Sequence, residues 1–327
     1  MPPDRRTYLL VALAAAGAAA LVVATVAFTR TGTGGGGSPH TRTTAAKRPS
    51  GAPTLVFDLG VRTDPEAKAL RRGAALYARG RRPAAGAIFR RYRSVEAKVA
   101  AALAAWPATS VSTLERLAAA HPSDAFVQLE LGLVRFWRGE QARAQQAWRA
   151  AVRANPDTAS AVHAGDLLHP SLVPGLPEFV PTFAYPERVA RLSPPRQFAA
   201  LAAAAGTGGL RAKLLYGVAL QRLGKPISAE RQFAAAARLA PNDPEALAAA
   251  AVGRFSKADP SAAFSRLGPL ARRFPHAQTV RFHLGLLLLY LQEIPQARQE
   301  LQLARGEGAR TLLGRTAGEL LSRLPSK

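Results

Sequence analysis

The chain has 327 residues, 44 Lys+Arg against 21 Asp+Glu, a net charge of +23 and no cysteine. The missing thiols exclude a disulfide-stapled scaffold, a Cys-ligated zinc or iron–sulfur site and a cysteine nucleophile. With 48% hydrophobic residues, 70 Ala and 37 Arg, the composition favours helices around a large core and excludes collagen-like, mucin-like and wholly disordered chains.

The first element is apolar. No charge interrupts the stretch between Arg6 and Arg30, and Tyr8 to Phe28 is a run of 21 apolar or small residues. At about 1.5 Å per residue a helix of that length spans a bilayer core, and it is longer than the apolar region of a signal peptide. It predicts a transmembrane anchor over residues 1–30. Arg5 and Arg6 on one side and Arg30 on the other leave orientation to the size of the carboxy-terminal part, which favours a single-pass protein of the cell membrane with its bulk extracytoplasmic. Residues 31–53 (TGTGGGGSPHTRTTAAKRPSGAP) hold no aromatic and no large aliphatic residue, which predicts a flexible linker. The glycines there fit GxGxxG only formally, with neither a strand before nor a helix after.

From residue 54 onward the chain is periodic. Pro122 and Pro156 are 34 residues apart, as are Pro241 and Pro275, and the 85 residues from Pro156 to Pro241 equal two periods plus 17. The register holds independently of the prolines. Counting Ala125 as position 1 puts Leu131, Gly132, Ala144, Trp148, Ala151 and Pro156 at positions 7, 8, 20, 24, 27 and 32. Counting from Leu210 puts Tyr216, Gly217, Ala229, Phe233, Ala236 and Pro241 at the same places. A third unit from Gln278 carries Leu284, Gly285, Ala297, Leu301 and Ala304, with Ala309 in place of proline. Weaker units include Gly73, Leu76, Ala85 and Phe89 near the start, and Ala263, Leu267, Leu270 and Pro275 after Pro244. Small residues at positions 8 and 20 let two helices approach, and the large residue at 24 fills the gap beside them.

This pattern resembles the tetratricopeptide repeat, over roughly residues 64–311. The resemblance implies an all-α fold, an α-solenoid of about seven helical hairpins over residues 54–327, here preceded by the transmembrane helix and linker. Residues 311–324 read as a capping helix. The 17-residue excess falls at 169–186 (HPSLVPGLPEFVPTFAYP), where five prolines forbid a helix and the apolar residues are too many for a solvated loop. It is expected to lie along the inner groove or over one edge, as a plug or as a partner contact.

The family binds peptides on the first helix of each repeat, near positions 2, 5, 9, 12 and 13. Carried over, the groove residues are Phe126, Leu129, Leu133, Phe136 and Trp137; Arg211, Leu214, Val218, Gln221 and Arg222; and Thr279, Phe282, Leu286, Leu289 and Tyr290. They are mostly apolar, which suits a partner peptide or helix as well as ordinary hairpin packing. The only asparagines, Asn155 and Asn242, lie in turns, so the family's clamp for chaperone tails is not expected.

Charge is concentrated in one region. From Arg62 to Lys98 there are 11 Lys/Arg and 3 Asp/Glu, with Arg71, Arg72, Arg81, Arg82, Arg90, Arg91 and Arg93 as a candidate basic patch. Such a patch suits anionic lipid or an acidic envelope polymer, with nucleic acid as the competing partner. His163, Asp166 and His169 form HxxDxxH, but at 100° per residue His169 turns away from His163, so no metal is expected. No catalytic spacing and no cofactor motif is present. The sequence thus reads as a noncatalytic scaffold assembling a complex at the bacterial envelope, with a cytoplasm-facing membrane adaptor or a basic nucleic-acid-binding protein as alternatives.

Overall fold

A computed structural model describes residues 51–324. Among the described residues there are sixteen helices and no strand. They divide into two compact units, with the boundary between Gly175 and Leu176.

The first unit contains three helical hairpins: α1 (Pro65–Ala78) with α2 (Arg82–Phe89), α3 (Val95–Ala104) with α4 (Ser110–Ala120), and α5 (Ala125–Trp137) with α6 (Gln141–Ala154). A seventh helix, α7 (Ala159–Leu168), packs on α5 and α6. In the second unit the short α8 (Glu187–Ala190) and α9 (Pro194–Thr207) precede three more hairpins. These are α10 (Leu210–Arg222) with α11 (Pro226–Leu239), α12 (Pro244–Val252) with α13 (Ser261–Arg273), and α14 (Gln278–Tyr290) with α15 (Ile294–Gly306). The last helix, α16 (Leu312–Arg323), closes the unit against α14 and α15. Six complete hairpins are thus present, against about seven expected. The 17 extra residues fall inside the fourth repeat in chain order, between α7 and α9, so these two helices make their contacts in different units.

Helix starts are written in local chemistry. Asp64, Ser94, Asp124, Thr158, Asp243 and Thr311 each accept backbone N–H groups of the first turn that follows them, which satisfies donors the helix leaves unpaired. Proline stands in the first turn of α1 and α12, where its missing N–H costs nothing.

What holds four of the six hairpins together is a glycine against a large side chain. A Cβ at Gly73 would come within 2.3 Å of the Phe89 ring, one at Gly132 within 2.3 Å of Trp148 Nε1, and one at Gly217 within 2.3 Å of Phe233. At Gly285 the nearest atom would be Leu301 Cγ at 2.8 Å. Phe89, Trp148, Phe233 and Leu301 are all buried, each in the gap that the missing side chain leaves. Alanines 85, 144, 229 and 297 of the second helices are fully buried beside them. A helix-breaking residue is therefore kept in mid-helix for packing.

The expected location in a cell membrane is corrected by the fold. Among the described residues no helix is long and apolar enough to cross a membrane. The span read at Tyr8 to Phe28 and most of the stretch read as linker lie outside the described residues.

Two alanine substitutions in the first unit separate the packing role of glycine from its helix propensity. Gly132→Ala forces a Cβ into Trp148 and is expected to destabilise by roughly 1–3 kcal/mol. Gly165→Ala, in α7, meets nothing within 4 Å and is expected to stabilise by up to about 1 kcal/mol. Urea denaturation of both variants measures the difference, and equal stabilities would remove the glycine seam as the organising contact.

Candidate functional site

The residues expected to form a groove stand on first helices of the hairpins, α5 in one unit and α10 and α14 in the other. In each unit an irregular segment of the same chain lies on them.

In the second unit this segment is residues 176–185. Pro177 and Pro181 deny it a helix, and the bonds its backbone makes go to side chains of the hairpins. The Tyr290 hydroxyl donates to Leu176 O (3.0 Å), Phe179 N–H donates to Gln221 Oε1 (3.0 Å), and Val180 N–H donates to His283 Nε2 (2.9 Å). Thr182 gives both its N–H and its hydroxyl to Glu245. Phe179 is 1% exposed, stacks on His283 with centroids 4.8 Å apart, and meets Phe233 edge-on at 5.5 Å. Further on, the Arg211 guanidinium lies over the Phe183 ring at 5.2 Å and that of Arg222 over Tyr185 at 5.8 Å.

His283 is fully buried, and its two ring nitrogens have distinct partners. Nδ1 is 2.6 Å from Thr279 O, an acceptor, so Nδ1 carries the proton and Nε2 keeps the lone pair that Val180 N–H uses. Burial pushes the imidazole down to about 4, with the bond to the Thr279 carbonyl acting in the opposite direction.

In the first unit the corresponding segment is residues 51–59. The Tyr77 hydroxyl donates to Pro53 O (2.7 Å) and Trp106 Nε1 to Gly51 O (3.2 Å). Phe57 packs against Phe89 and Phe126 at 5.9 and 5.8 Å, and Asp58 Oδ2 accepts Ala159 N–H at the start of α7 (3.2 Å). Beneath Val56 sits Glu130, fully buried. Neither carboxyl oxygen reaches a partner at hydrogen-bond geometry, though the Val56 N–H faces the group. Burial raises this carboxyl well above the usual range, and the Val56 N–H opposes that only in part.

Of the residues carried over to the groove, Leu129, Leu133 and Trp137 are core, packed with Trp148 and Leu167, with Phe136 at the edge of that cluster. Phe126 meets the 51–59 segment. Leu214 and Val218 join Phe179 in one core cluster, while Phe282, Leu286 and Leu289 share another with Val180. Gln221, Tyr290, Arg211 and Arg222 touch the 176–185 segment directly, and Thr279 touches His283. Glu130 and His283 were not among the expected residues. Each is the sixth residue of its first helix, where a polar side chain interrupts an apolar face (LELGL and FHLGL), and that interruption is the signal that could have found them.

The basic residues are spread over several elements. Arg71 donates to Arg62 O and Gly60 O, and Arg82 to Trp106 O, so both serve the fold. Arg81 precedes α2 while Arg90, Arg91 and Arg93 follow it, which puts them at opposite ends of that helix. Arg72 is exposed on α1. In HxxDxxH, Asp166 accepts Gly175 N–H through both oxygens (3.0 and 3.1 Å) and His163 is buried. Among the described residues no group of three His, Asp or Glu could hold a metal.

No protein-family model matches the sequence, and no curated protein matches it. Several solved structures similar to the chain are tetratricopeptide-repeat proteins. One is YrrB, a TPR protein with an unusual peptide-binding site, at 17% identity over 63% of this chain and 97% of that one, TM-score 0.30. Another is the TPR2AB domain of yeast Sti1 in a complex with pHSP90, at 12% identity over 79% and 97%, TM-score 0.30. A third is the TPR domain of P58(IPK), at 11% identity over 80% and 98%, TM-score 0.26. At these scores the likeness does not reach beyond the fold, and the repeat assignment rests on the glycine seam and the 34-residue period.

Two titrations test this geometry. His283 has a lower pKa folded than its ordinary 6.5, so its contribution to stability is complete above pH 6.5 and is lost as pH falls toward 4, by about 3 kcal/mol. His283→Gln keeps an acceptor for Val180 N–H and is expected to flatten that part of the stability–pH curve, measured by denaturation at each pH. Glu130 has the opposite sign. Its pKa is higher folded, so it costs stability as pH rises above its unfolded value. Glu130→Gln is expected to raise the melting temperature at pH 7 and to leave it unchanged near pH 4.

Proposed function

We propose that the protein is a noncatalytic scaffold that holds a protein partner, a peptide or a helix, on the first helices of its repeat hairpins. One observation carries this reading. The faces of α10, α12 and α14 hold an irregular, proline-bearing segment by side-chain bonds to its backbone from Gln221, His283, Glu245 and Tyr290. Such bonds suit recognition of a peptide, since they engage groups that every peptide has, while Phe179 and Val180 fill apolar places. Nothing in the reading asks for a catalytic group or a cofactor.

Photo-crosslinkers placed at Arg211 and Arg222, on first helices, and at Arg231 and Gln299, on second helices, test it in cells that make the protein. A discrete protein captured from Arg211 or Arg222 but not from Arg231 or Gln299 is the expected result. Capture of nucleic acid alone, or equal capture from both helix sets, would overturn the reading.

A further inference from the structure

The three hairpins of the second unit treat basic residues differently on their two helices. On the first helices every Lys and Arg has a partner: Arg211 and Arg222 lie over rings, Lys213 donates to Ala205 O, and Arg281 pairs with Glu300. On the second helices Arg231 and Arg238 of α11, Arg266 and Arg272 of α13, and Arg305 of α15 are exposed, and none has a partner among the described residues. The carboxylates of these helices, Glu230 and Glu300, are already taken by Arg254 and Arg281. One set of elements is thus left with uncompensated positive charge, where a solvated surface normally intersperses both signs. The helix dipole accounts for Arg238, Arg272 and Arg305, which lie in last turns, but not for Arg231 and Arg266. Arg238 and Arg272 are also the twenty-ninth residues of consecutive repeats, counted from Leu210 and Pro244, so stacking sets them on the same side of the unit.

The same helices expose large apolar side chains. Among the described residues six large hydrophobic residues are exposed, and four of them, Ile227, Leu239, Phe264 and Leu303, stand on α11, α13 and α15. Two share a stripe with an unpartnered arginine. Ile227, Arg231 and Arg238 recur at spacings of 4 and 7 on α11, and Phe264, Gly268 and Arg272 at spacings of 4 on α13. A Cβ at Gly268 would meet nothing within 4 Å, so the stripe from the Phe264 ring to the Arg272 guanidinium is open along about 12 Å of the helix. A guanidinium forks onto a phosphate, and an exposed ring takes the face of a base. We propose that α11, α13 and α15 form a binding surface for single-stranded nucleic acid, with the five unpartnered arginines on its phosphates and Phe264 stacked on a base. A bilayer asks for apolar and charged residues on separate faces, whereas here they share stripes. An acidic peptide brings carboxylates without planar faces for Phe264. The surface belongs to the other helix of each hairpin from the one the scaffold reading uses, so the two inferences stand or fall separately.

The test uses the full chain and a labelled oligothymidylate of about twenty nucleotides, followed by fluorescence anisotropy over a range of salt. One variant carries Arg231→Gln, Arg238→Gln, Arg266→Gln, Arg272→Gln and Arg305→Gln. The other removes the same charge from exposed residues of the first unit, Arg79, Arg81, Arg90, Arg91 and Arg93, each to Gln. Circular dichroism checks that both keep their helices, and Arg231→Gln with Arg266→Gln alone stands in if the first variant does not. The second-helix variant is expected to bind about thirtyfold more weakly and to lower the slope of log K against log salt by about 3, while the first-unit variant changes affinity by less than about threefold. Phe264→Ser is expected to weaken the oligonucleotide about fivefold and to leave poly-glutamate unaffected. A wild-type chain that does not bind the oligonucleotide, or equal losses from the two charge variants, would overturn the proposal. Equal binding of poly-glutamate, or of phosphatidylserine vesicles, at the same concentration of charge would overturn the choice of partner.

Discussion

The close approach of two helices at a glycine is the contact on which the rest depends. Gly73, Gly132, Gly217 and Gly285 each give up a side chain so that Phe89, Trp148, Phe233 or Leu301 can enter the hairpin. Once that distance is set, the first helix of each hairpin turns a fixed set of positions toward its neighbours. One hairpin cannot bury its apolar faces alone, so three in succession form a core in each unit. Phe233 links the two levels, since it fills the gap beside Gly217 and also takes the edge of Phe179.

The segments on the grooves show why burying polar atoms need not destroy a repeat array. An irregular stretch has no ladder or helix of its own, so its N–H and carbonyl groups need partners from elsewhere. Gln221, His283, Glu245, Tyr290 and Tyr77 provide them. His283 shows the constraint most sharply: it serves Val180 only as the neutral tautomer with its proton on Nδ1. Glu130 is the counter-example, a buried carboxyl without a bonded partner whose cost other contacts must offset.

Much of this was legible in the sequence because it is periodic. Glycine, alanine and a large residue at fixed separations identify hairpins, since steric contact between two helices depends on a few positions that recur. The insertion was equally visible, because five prolines in 18 residues break that period. Its apolar content indicated that it packs against something, and the groove was one of the expected places. What the period could not say is where an aperiodic stretch attaches. Leu55, Val56 and Phe57 look like the ragged start of a repeat, and nothing local ties them to Phe89, Phe126 or Glu130. Groove positions taken from the family include Gln221 and Tyr290, which touch the segment, but not Glu130 and His283, whose surroundings depend on the segment laid over them. The apolar run at Tyr8 to Phe28 invited a membrane reading, yet among the described residues no helix can cross a bilayer.

The prolines of the 176–185 segment have a second consequence. An apolar strip such as Phe-Val-Pro-Thr-Phe, once lifted from its groove, would be a template for cross-β stacking if its backbone could pair along its length. Pro177 and Pro181 remove N–H donors on either side of Phe179 and Val180, and so act as gatekeepers against self-association. The 54–59 stretch, Thr-Leu-Val-Phe-Asp-Leu, has no internal proline and relies on the charge of Asp58 for the same protection. Of the two strips, the first unit's is therefore the greater hazard when bare, and the packing of its Phe57 against Phe89 and Phe126 guards solubility as well as stability.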